Sequence, residues 1–408
     1  MQCQLGGTWH DFAKEFKGWE GALIQPMNQV TSHGASVSPY VLNPESRNRS
    51  RHHALFAPEE LEDAQAFFRT YPGYDPTPLR RLPSYAKELG IGELLVKDES
   101  RRMGLNAFKI LGVSYAIHRM QLAGEISSRS ILACATDGNH GRAVARAAGQ
   151  FKLRARVFIP KHCGWARVNA IAQEGAEVSV IDGSYDEAVM EMARAATMNN
   201  WIVISDAAWA GQEIVPHYIM TGYTMIMEEA ARQWLEIPDL VLVQAGVGGL
   251  AAAVVAWCLQ KLGLERPFLV SCEPVSAACV LESMRAGSMV QVGGTLETCM
   301  AGLSCGFVSK TAWPTLYAGL DACVAITDEQ CLIAVRKLAH PGAGDPAIVA
   351  GESGAAGVGA LSAILTTKAL KVVRDALHLG PRSSVFVINT EGATDPGRYF
   401  SIAGTQPD

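Results

Sequence analysis

Nine short apolar runs, most of them followed by a stretch of helical periodicity, leave few folds open to this chain. The runs are LLVK (94–97), ILACA (131–135), ARVFIP (155–160), EVSVI (177–181), WIVIS (201–205), LVLVQA (240–245), FLVSCE (268–273), ACVAI (322–326) and VFVIN (385–389). Helical segments fit at 107–123, 141–151, 165–174, 185–199, 213–235, 249–263, 328–339 and 354–377. Runs that are apolar throughout belong to strands covered on both faces, and intervening helices carry the chain back for parallel pairing. Nine strands exceed one comfortable sheet. The expectation is an α/β protein of two lobes, each with a mostly parallel sheet flanked by helices. In such folds ligands gather at the carboxyl ends of the strands. That gives weight to Asp137, Asp206, Gly246, Glu273 and Thr390, which end or follow five of the runs.

Composition removes several classes of function. Of 408 residues, 35 are Lys or Arg and 40 are Asp or Glu, with no basic stripe, so duplex nucleic acid and anionic membranes are poor partners. The longest apolar helical run, LAAAVVAWCL (250–259), is too short to cross a bilayer. The opening MQCQLGGTWHDFAKEF lacks the basic-then-apolar order of a signal peptide. None of the ten cysteines forms a CxxC pair, and no Cys/His cluster has zinc-ligand spacing, so no metal is expected. Cys134, Cys258 and Cys272 sit in apolar runs as small buried hydrophobes, structural disulfides are not expected, and a reducing, cytoplasmic setting follows. Residues 1–50 carry little periodic signal.

Five segments could carry chemistry. In LVLVQAGVGGLAAAVVAW (240–257) a buried strand runs into Gly246-Val247-Gly248-Gly249 and then a helix, so backbone N–H groups and the helix N-terminus converge where an anion could bind. Phosphate is the natural ligand. The spacing Gly246, Gly248, Ala251 with Glu273 ending the next strand also suits a dinucleotide, which keeps a nicotinamide-dependent dehydrogenase open. In GLNAFKILG (104–112), Lys109 begins an amphipathic helix between Phe108 and Ile110. Apolar surroundings should lower its proton affinity and suit it to attack a carbonyl, although most helix lysines are simply solvated. TDGNHGR (136–142) is a polar, glycine-bearing turn between strand and helix whose amides could hold a carboxylate. Asp137 within it has two readings, a helix N-cap or a reactive carboxylate. GESGAAG (351–357) and the strand end of VFVINTEGATD (385–395) complete the set.

The order of these segments resembles the fold type II pyridoxal phosphate (PLP) enzymes, the group of threonine dehydratase and the tryptophan synthase β chain. TPL (77–79), KDES (97–100), FK (108–109), GNH (138–140) and the glycine loop carry the likeness. Within the group, GLNAFKILGVSYAI (104–117), TDGNHGR, QAGVGG (244–249), MAGLSCG (300–306), GESGAAG and TEGATD (390–395) are similar to the signatures of the diaminopropionate ammonia-lyases, over roughly residues 70–400.

The resemblance implies a set of roles. Lys109 would form the Schiff base with PLP and Phe108 would pack beside the ring. Asn139 would bond the phenolic oxygen, Gly246, Val247, Gly248, Gly249 and Leu250 would hold the phosphate, and Thr390 would face the pyridine nitrogen. A neutral hydroxyl there favours elimination over transamination. Asp137 would be a second catalytic base, where many relatives carry Ser, and Asp206 an acidic residue near the substrate. Thr136, Gly138, His140 and Tyr185 would line the substrate site. The implied reaction is β-elimination of ammonia from 2,3-diaminopropionate, D and L, to pyruvate, in a cytoplasmic homodimer. A deaminase or β-replacement enzyme acting on a related β-substituted amino acid is the alternative. The implied division is a large cofactor domain of 1–112 plus 236–408 and a small α/β domain of 113–235. Two positions depart from the family pattern: Ala393 stands where an acid is usual, and Gln212 falls near the position of a usual tyrosine after Trp209.

Overall fold

A computed structural model describes residues 29–30, 38–50, 53–136, 138–208 and 211–407. Asp137, Trp209 and the N-terminal stretch read for a leader lie outside the described residues. In chain order the principal strands are β1 (Tyr40–Leu42), β2 (Leu79–Arg81), β3 (Glu93–Asp98), β4 (Ile131–Ala135), β5 (Arg154–Pro160), β6 (Glu177–Ile181), β7 (Ile202–Val203), β8 (Leu240–Gln244), β9 (Phe268–Pro274), β10 (Ala322–Ile326) and β11 (Ser384–Asn389). They form two sheets. One has seven strands in the order β1-β10-β9-β8-β11-β3-β2, and the other has four in the order β6-β5-β4-β7. The four-stranded sheet is parallel throughout, and the seven-stranded sheet is parallel except at its two edges, where β1 runs against β10 and β2 against β3.

The continuous apolar runs are explained by burial on both faces. Leu240 and Leu242 of β8 enter one hydrophobic cluster with Val385 and Val387 of β11, while Val241 and Val243 enter another with Phe386 and Ile388. The helix Glu352–Thr366 packs on the first face and the helix Gly249–Leu262 on the second. Leu132 and Cys134 of the four-stranded sheet join the second cluster, whereas Ala133 and Phe158 face Met192 and Ala196 of the helix Tyr185–Asn199. Apolar material is thus continuous from one sheet to the other. The described cysteines are all free, with Cys134, Cys258 and Cys272 buried. Among the described residues no single helix is long and apolar enough to cross a membrane.

The structure corrects the periodicity reading in four places. The run 201–205 yields only the two-residue β7, because just Leu132 and Ala133 pair with it. The segment 213–235 breaks into helices Ile214–Tyr223 and Met225–Gln233, with the Thr224 hydroxyl donating to the Thr221 carbonyl at 2.6 Å at the break. The segment 354–377 ends its first helix at Thr366 and turns by 88° into the next. Residues 1–50, read as uninformative, supply edge strand β1.

Candidate active site

Lys109 begins the helix Lys109–Leu122, and the chain before it is held from two sides. Met103, Gly104 and Asn106 have positive φ, so the backbone leaving β3 makes a sharp turn that glycine and asparagine tolerate best. That turn rests on a buried ionic cluster. The Arg102 guanidinium donates to Glu99 at 2.7 Å and to Glu229 at 2.8 Å, and Lys97 meets Glu229 at 2.8 Å, with every one of these side chains at 0% exposure. The chain end after β11 holds the other side: Phe108 N–H donates to the Thr390 carbonyl at 3.2 Å, and Gly392 N–H to that of Asn106 at 2.9 Å. The helix then crosses Ile214–Tyr223 with almost no gap. A Cβ on Gly112 would lie 2.5 Å from Tyr223 Cε1, and one on Gly222 would lie 2.5 Å from the Leu111 carbonyl oxygen. This close crossing brings the Tyr223 ring to 4.7 Å from Phe108.

Across the gap between the sheets the Lys109 ammonium pairs with Asp206, which follows β7, and each side chain is 21% exposed. Here the structure corrects the sequence reading of Lys109. Burial disfavours the ammonium as expected, but the Asp206 charge outweighs it, and the lysine's proton affinity ends above its ordinary value. Burial likewise opposes the Asp206 carboxylate, and the Lys109 and His140 charges outweigh it, holding this carboxyl well below the usual range. Lys109 is therefore stored as an ammonium with Asp206 as its counterion, and nucleophilic attack requires that a proton first leave it. Behind Asp206 lies His140. Its Nε2 bonds the Ile204 carbonyl at 2.8 Å, and its Nδ1 stands 3.8 Å from Asp206 with no hydrogen-bond partner. His140 is buried and turned toward Asp206. Burial first, and the Lys109 charge after it, lower its pKa.

The glycine loop lies against the same gap. A Cβ on Gly249 would be 3.8 Å from the Asp206 carbonyl oxygen. The helix Gly249–Leu262 starts without a side-chain cap and without an acid in its first turn. Gly248 has φ +92, and a Cβ there would strike Leu316 Cδ1 at 2.7 Å, so both backbone and space require glycine. The Val247 carbonyl is tied to Ser309 N–H at 2.8 Å, and Leu250 is buried. Thr390 accepts from Gln244 Nε2 at 3.0 Å and is buried. Glu273, the acid a dinucleotide ribose would need, is already committed. Its two oxygens accept from Val280 and Leu281 N–H at 2.7 and 2.8 Å, at the start of the helix Cys279–Ala286. Complete burial pushes this carboxyl up to about 8. That commitment removes the feature that favoured a dehydrogenase.

The TDGNHGR turn is organised by its first residue. Thr136 Oγ1 accepts from Gly138 N–H at 2.9 Å and Gly141 N–H at 3.1 Å, so this buried hydroxyl shapes the loop. The Asn139 side chain donates to Glu391, which follows Thr390. Burial, then the Glu352 carboxylate, raise the Glu391 pKa against Arg167, Asn139 and Ser353. A small, partly open recess lies beside Gly138 and Asn139, walled by Arg142, Arg167 and Thr394. Tyr185 begins its helix 37% exposed, in contrast to the buried Thr136 and His140. The structure therefore brings Lys109, Asp206, His140, Phe108 and the glycine loop together. It also adds Tyr223, Arg167 and Glu391, which the sequence reading did not single out. Tyr223 carried no local signal, because its place depends on two glycines 110 residues apart in the chain meeting across a helix crossing.

Comparison with known proteins agrees with this geometry. The pyridoxal-phosphate dependent enzyme family matches residues 70–390. The diaminopropionate ammonia-lyase of Escherichia coli (strain K12) is 37% identical over 366 residues, covering 85% of this chain and 92% of its own length. The crystal structure of the Escherichia coli enzyme in complex with an aminoacrylate-PLP azomethine reaction intermediate superposes with a TM-score of 0.83 at 34% identity, covering 89% of this chain and 96% of that one. Maize serine racemase, at 22% identity and a TM-score of 0.70, shares the fold. An ion-paired lysine facing an uncapped glycine-rich helix start, in a chain this similar along most of its length, places the protein in the diaminopropionate ammonia-lyase family of fold type II pyridoxal-phosphate dependent enzymes.

Proposed function

We propose that this protein uses pyridoxal phosphate, bound through Lys109, to eliminate ammonia from 2,3-diaminopropionate. The observation that carries the reading is the Lys109–Asp206 pair set against the uncapped start of the helix Gly249–Leu262. The residues present suit the cofactor group by group. Lys109 offers an amine to the aldehyde. The backbone of Gly246 to Leu250, entering a helix with no acid in its first turn, suits a phosphate. Thr390 would offer a neutral hydroxyl to the pyridine ring, Phe108 an aromatic neighbour, and Asn139 an amide donor. When bound, the cofactor supplies a sink for the electron pair left at Cα.

The protein's own groups move the protons. Lys109, as a neutral amine, is the proposed base for the Cα proton of one enantiomer, with Asp206 the counterion of the ammonium that results; Asp137 is assigned to the Cα proton of the other enantiomer on the family resemblance. As the Cα–H pair forms the Cα=Cβ bond, the Cβ–N bond breaks and the amine leaves with a proton as ammonia. The freed 2-aminoacrylate takes up one water and loses a second ammonia to give pyruvate. The loop backbone around Gly138 is the proposed seat of the substrate carboxylate, with Thr136 and His140 setting its shape. Tyr185 is assigned to the same substrate site on the family resemblance.

Ala393, buried in the apolar cluster with Ala355 and Val358 where the family pattern has an acid, is the departure that favours a second reading: a related β-substituted amino acid as substrate, in deamination or β-replacement. Incubation with D- and L-diaminopropionate, with pyruvate assayed, separates the two. Pyruvate from serine or threonine but from neither enantiomer overturns the first. Borohydride reduction should fix the cofactor on Lys109. A cytoplasmic homodimer, and a division into 1–112 plus 236–408 and 113–235, belong to the same proposal. The placement of all four strands of the smaller sheet within residues 131–203 supports the division. A solution mass near 43.7 kDa, that of one chain, would remove the dimer.

A further inference from the structure

The GESGAAG run (351–357) has no part in the proposed reaction, yet the structure gives it a definite task. A Cβ on Gly351 would lie 2.9 Å from Glu391 Oε1 and 2.6 Å from the Gly392 carbonyl oxygen. One on Gly354 would lie 2.4 Å from the Glu391 carbonyl oxygen and 2.2 Å from Asn389 Oδ1. Neither glycine has positive φ, so both are required for close approach and not for an unusual backbone. Between them, Ser353 N–H donates to Glu391 Oε1 at 3.2 Å. The helix Glu352–Thr366 that begins here has no side-chain cap at its N-cap residue. The motif fits closely around Glu391: Gly351 and Ser353 meet its carboxyl group and Gly354 its backbone, and the residue is 7% exposed.

The other oxygen of that carboxyl faces the opposite lobe. Glu391 Oε2 accepts from Asn139 Nδ2, where Asn139 opens the helix Asn139–Gln150 beside the four-stranded sheet. A primary amide carries two N–H groups on one nitrogen and an oxygen that only accepts. Committing one N–H to Glu391 settles which way round the amide sits. The second N–H is then left for a ligand, and the amide oxygen is kept from the same position. A site holds its ligand groups in productive geometry only when a second set of partners fixes them.

We infer that Glu391, cradled by Gly351, Ser353 and Gly354, is a positioning residue that orients the Asn139 amide so that its free N–H serves the phenolic oxygen of pyridoxal phosphate. This rests on the reading of Asn139 as a cofactor ligand. Glu391 touches neither cofactor nor substrate in this scheme; it acts through Asn139.

The test titrates purified wild-type, Glu391→Met, Glu391→Gln and Asn139→Ala proteins, and the Glu391→Gln/Asn139→Ala double variant, with pyridoxal phosphate. It records the dissociation constant and the visible absorption band of the lysine-bound cofactor. Glu391→Met removes the acceptor at similar volume and should weaken binding about tenfold, the size of one lost charge-assisted hydrogen bond. It should also move the band as Asn139→Ala does. Glu391→Gln keeps a neutral acceptor of roughly half the strength and should cost about threefold. In the Asn139→Ala background that threefold effect should vanish, since partners in one hydrogen-bonded unit are not additive. A Glu391→Met protein with wild-type affinity and band overturns the inference. So does a Glu391→Gln effect of equal size with and without Asn139, and that arm decides the matter if the Met variant does not fold. Wild-type protein that takes up no cofactor on Lys109 overturns this inference and the proposed function together; normal wild-type uptake with a silent Glu391 overturns this inference alone.

Discussion

Replacing Asp206 by Asn keeps the shape of the site and removes one charge. In the wild-type protein the Lys109 ammonium and the Asp206 carboxylate are mostly shielded, at 21% exposure each. For such a pair an effective dielectric near 20 applies, and at about 4 Å the attraction is about 4 kcal/mol, close to a thousandfold in proton affinity. Residual water reduces this, so a change of at least about tenfold is the working expectation. The sign follows from the two influences on Lys109. Burial favours the neutral amine, the carboxylate favours the ammonium, and the second prevails in the wild type. Asp206→Asn leaves burial alone, so the amine becomes neutral at lower pH. Only a neutral amine attacks an aldehyde. Cofactor capture, followed as the visible band in stripped protein across the neutral-to-alkaline range, should therefore have its midpoint lowered by about one pH unit or more. Turnover should move the other way, falling about tenfold or more, because Lys109 with a lowered proton affinity is a weaker base toward Cα–H. A capture midpoint that stays put or rises in Asp206→Asn would refute the account of Lys109 as a stored ammonium.

Three further outcomes are expected. Arg102→Met leaves Glu99 and Glu229 facing each other in a site of 0% exposure, and should cost about 3–5 kcal/mol in urea unfolding; a loss below about 1 kcal/mol would mean that Lys97 alone compensates them. Glu273 has a folded pKa raised to about 8, so its contribution to stability is fully present below the unfolded carboxyl pKa and is lost as pH rises through 8. Wild type should then lose about 1.4 kcal/mol per pH unit relative to Glu273→Gln across that window, with the two converging at acid pH; parallel stability–pH curves would disprove it. Asp137→Asn should selectively remove turnover of one enantiomer of diaminopropionate, expected to be D, with the other retained. Equal loss of both would refute the assignment of two bases.

Much of the architecture could be read directly from local pattern. Runs such as LVLVQA and VFVIN are apolar at successive positions because β8 and β11 bury alternate residues in different clusters on the two sheet faces. The glycine loop was legible for a similar reason: Gly248 has a positive φ and no room for a Cβ, so one residue type satisfies it. Lys109 and Asn139 came from order and resemblance, since a lysine in a helix or an asparagine in a turn says little alone. Short elements escaped because two or three residues carry no period, as with β1, or because a hydroxyl interrupts a helix from within, as at Thr224.

The sequence alone therefore determined the class of fold and the family, since each depends on residue types at fixed local spacing. Tertiary structure decided the chemistry of the groups. The charge of Lys109 depends on Asp206, 97 positions away, and the orientation of Asn139 on Glu391, 252 positions away. The task of Glu273 is set by two backbone amides across a turn, which take it from any nucleotide. Coulomb attraction and hydrogen bonding act over a few ångströms through space, and nothing in a linear spacing records which distant residues the fold will bring within that range.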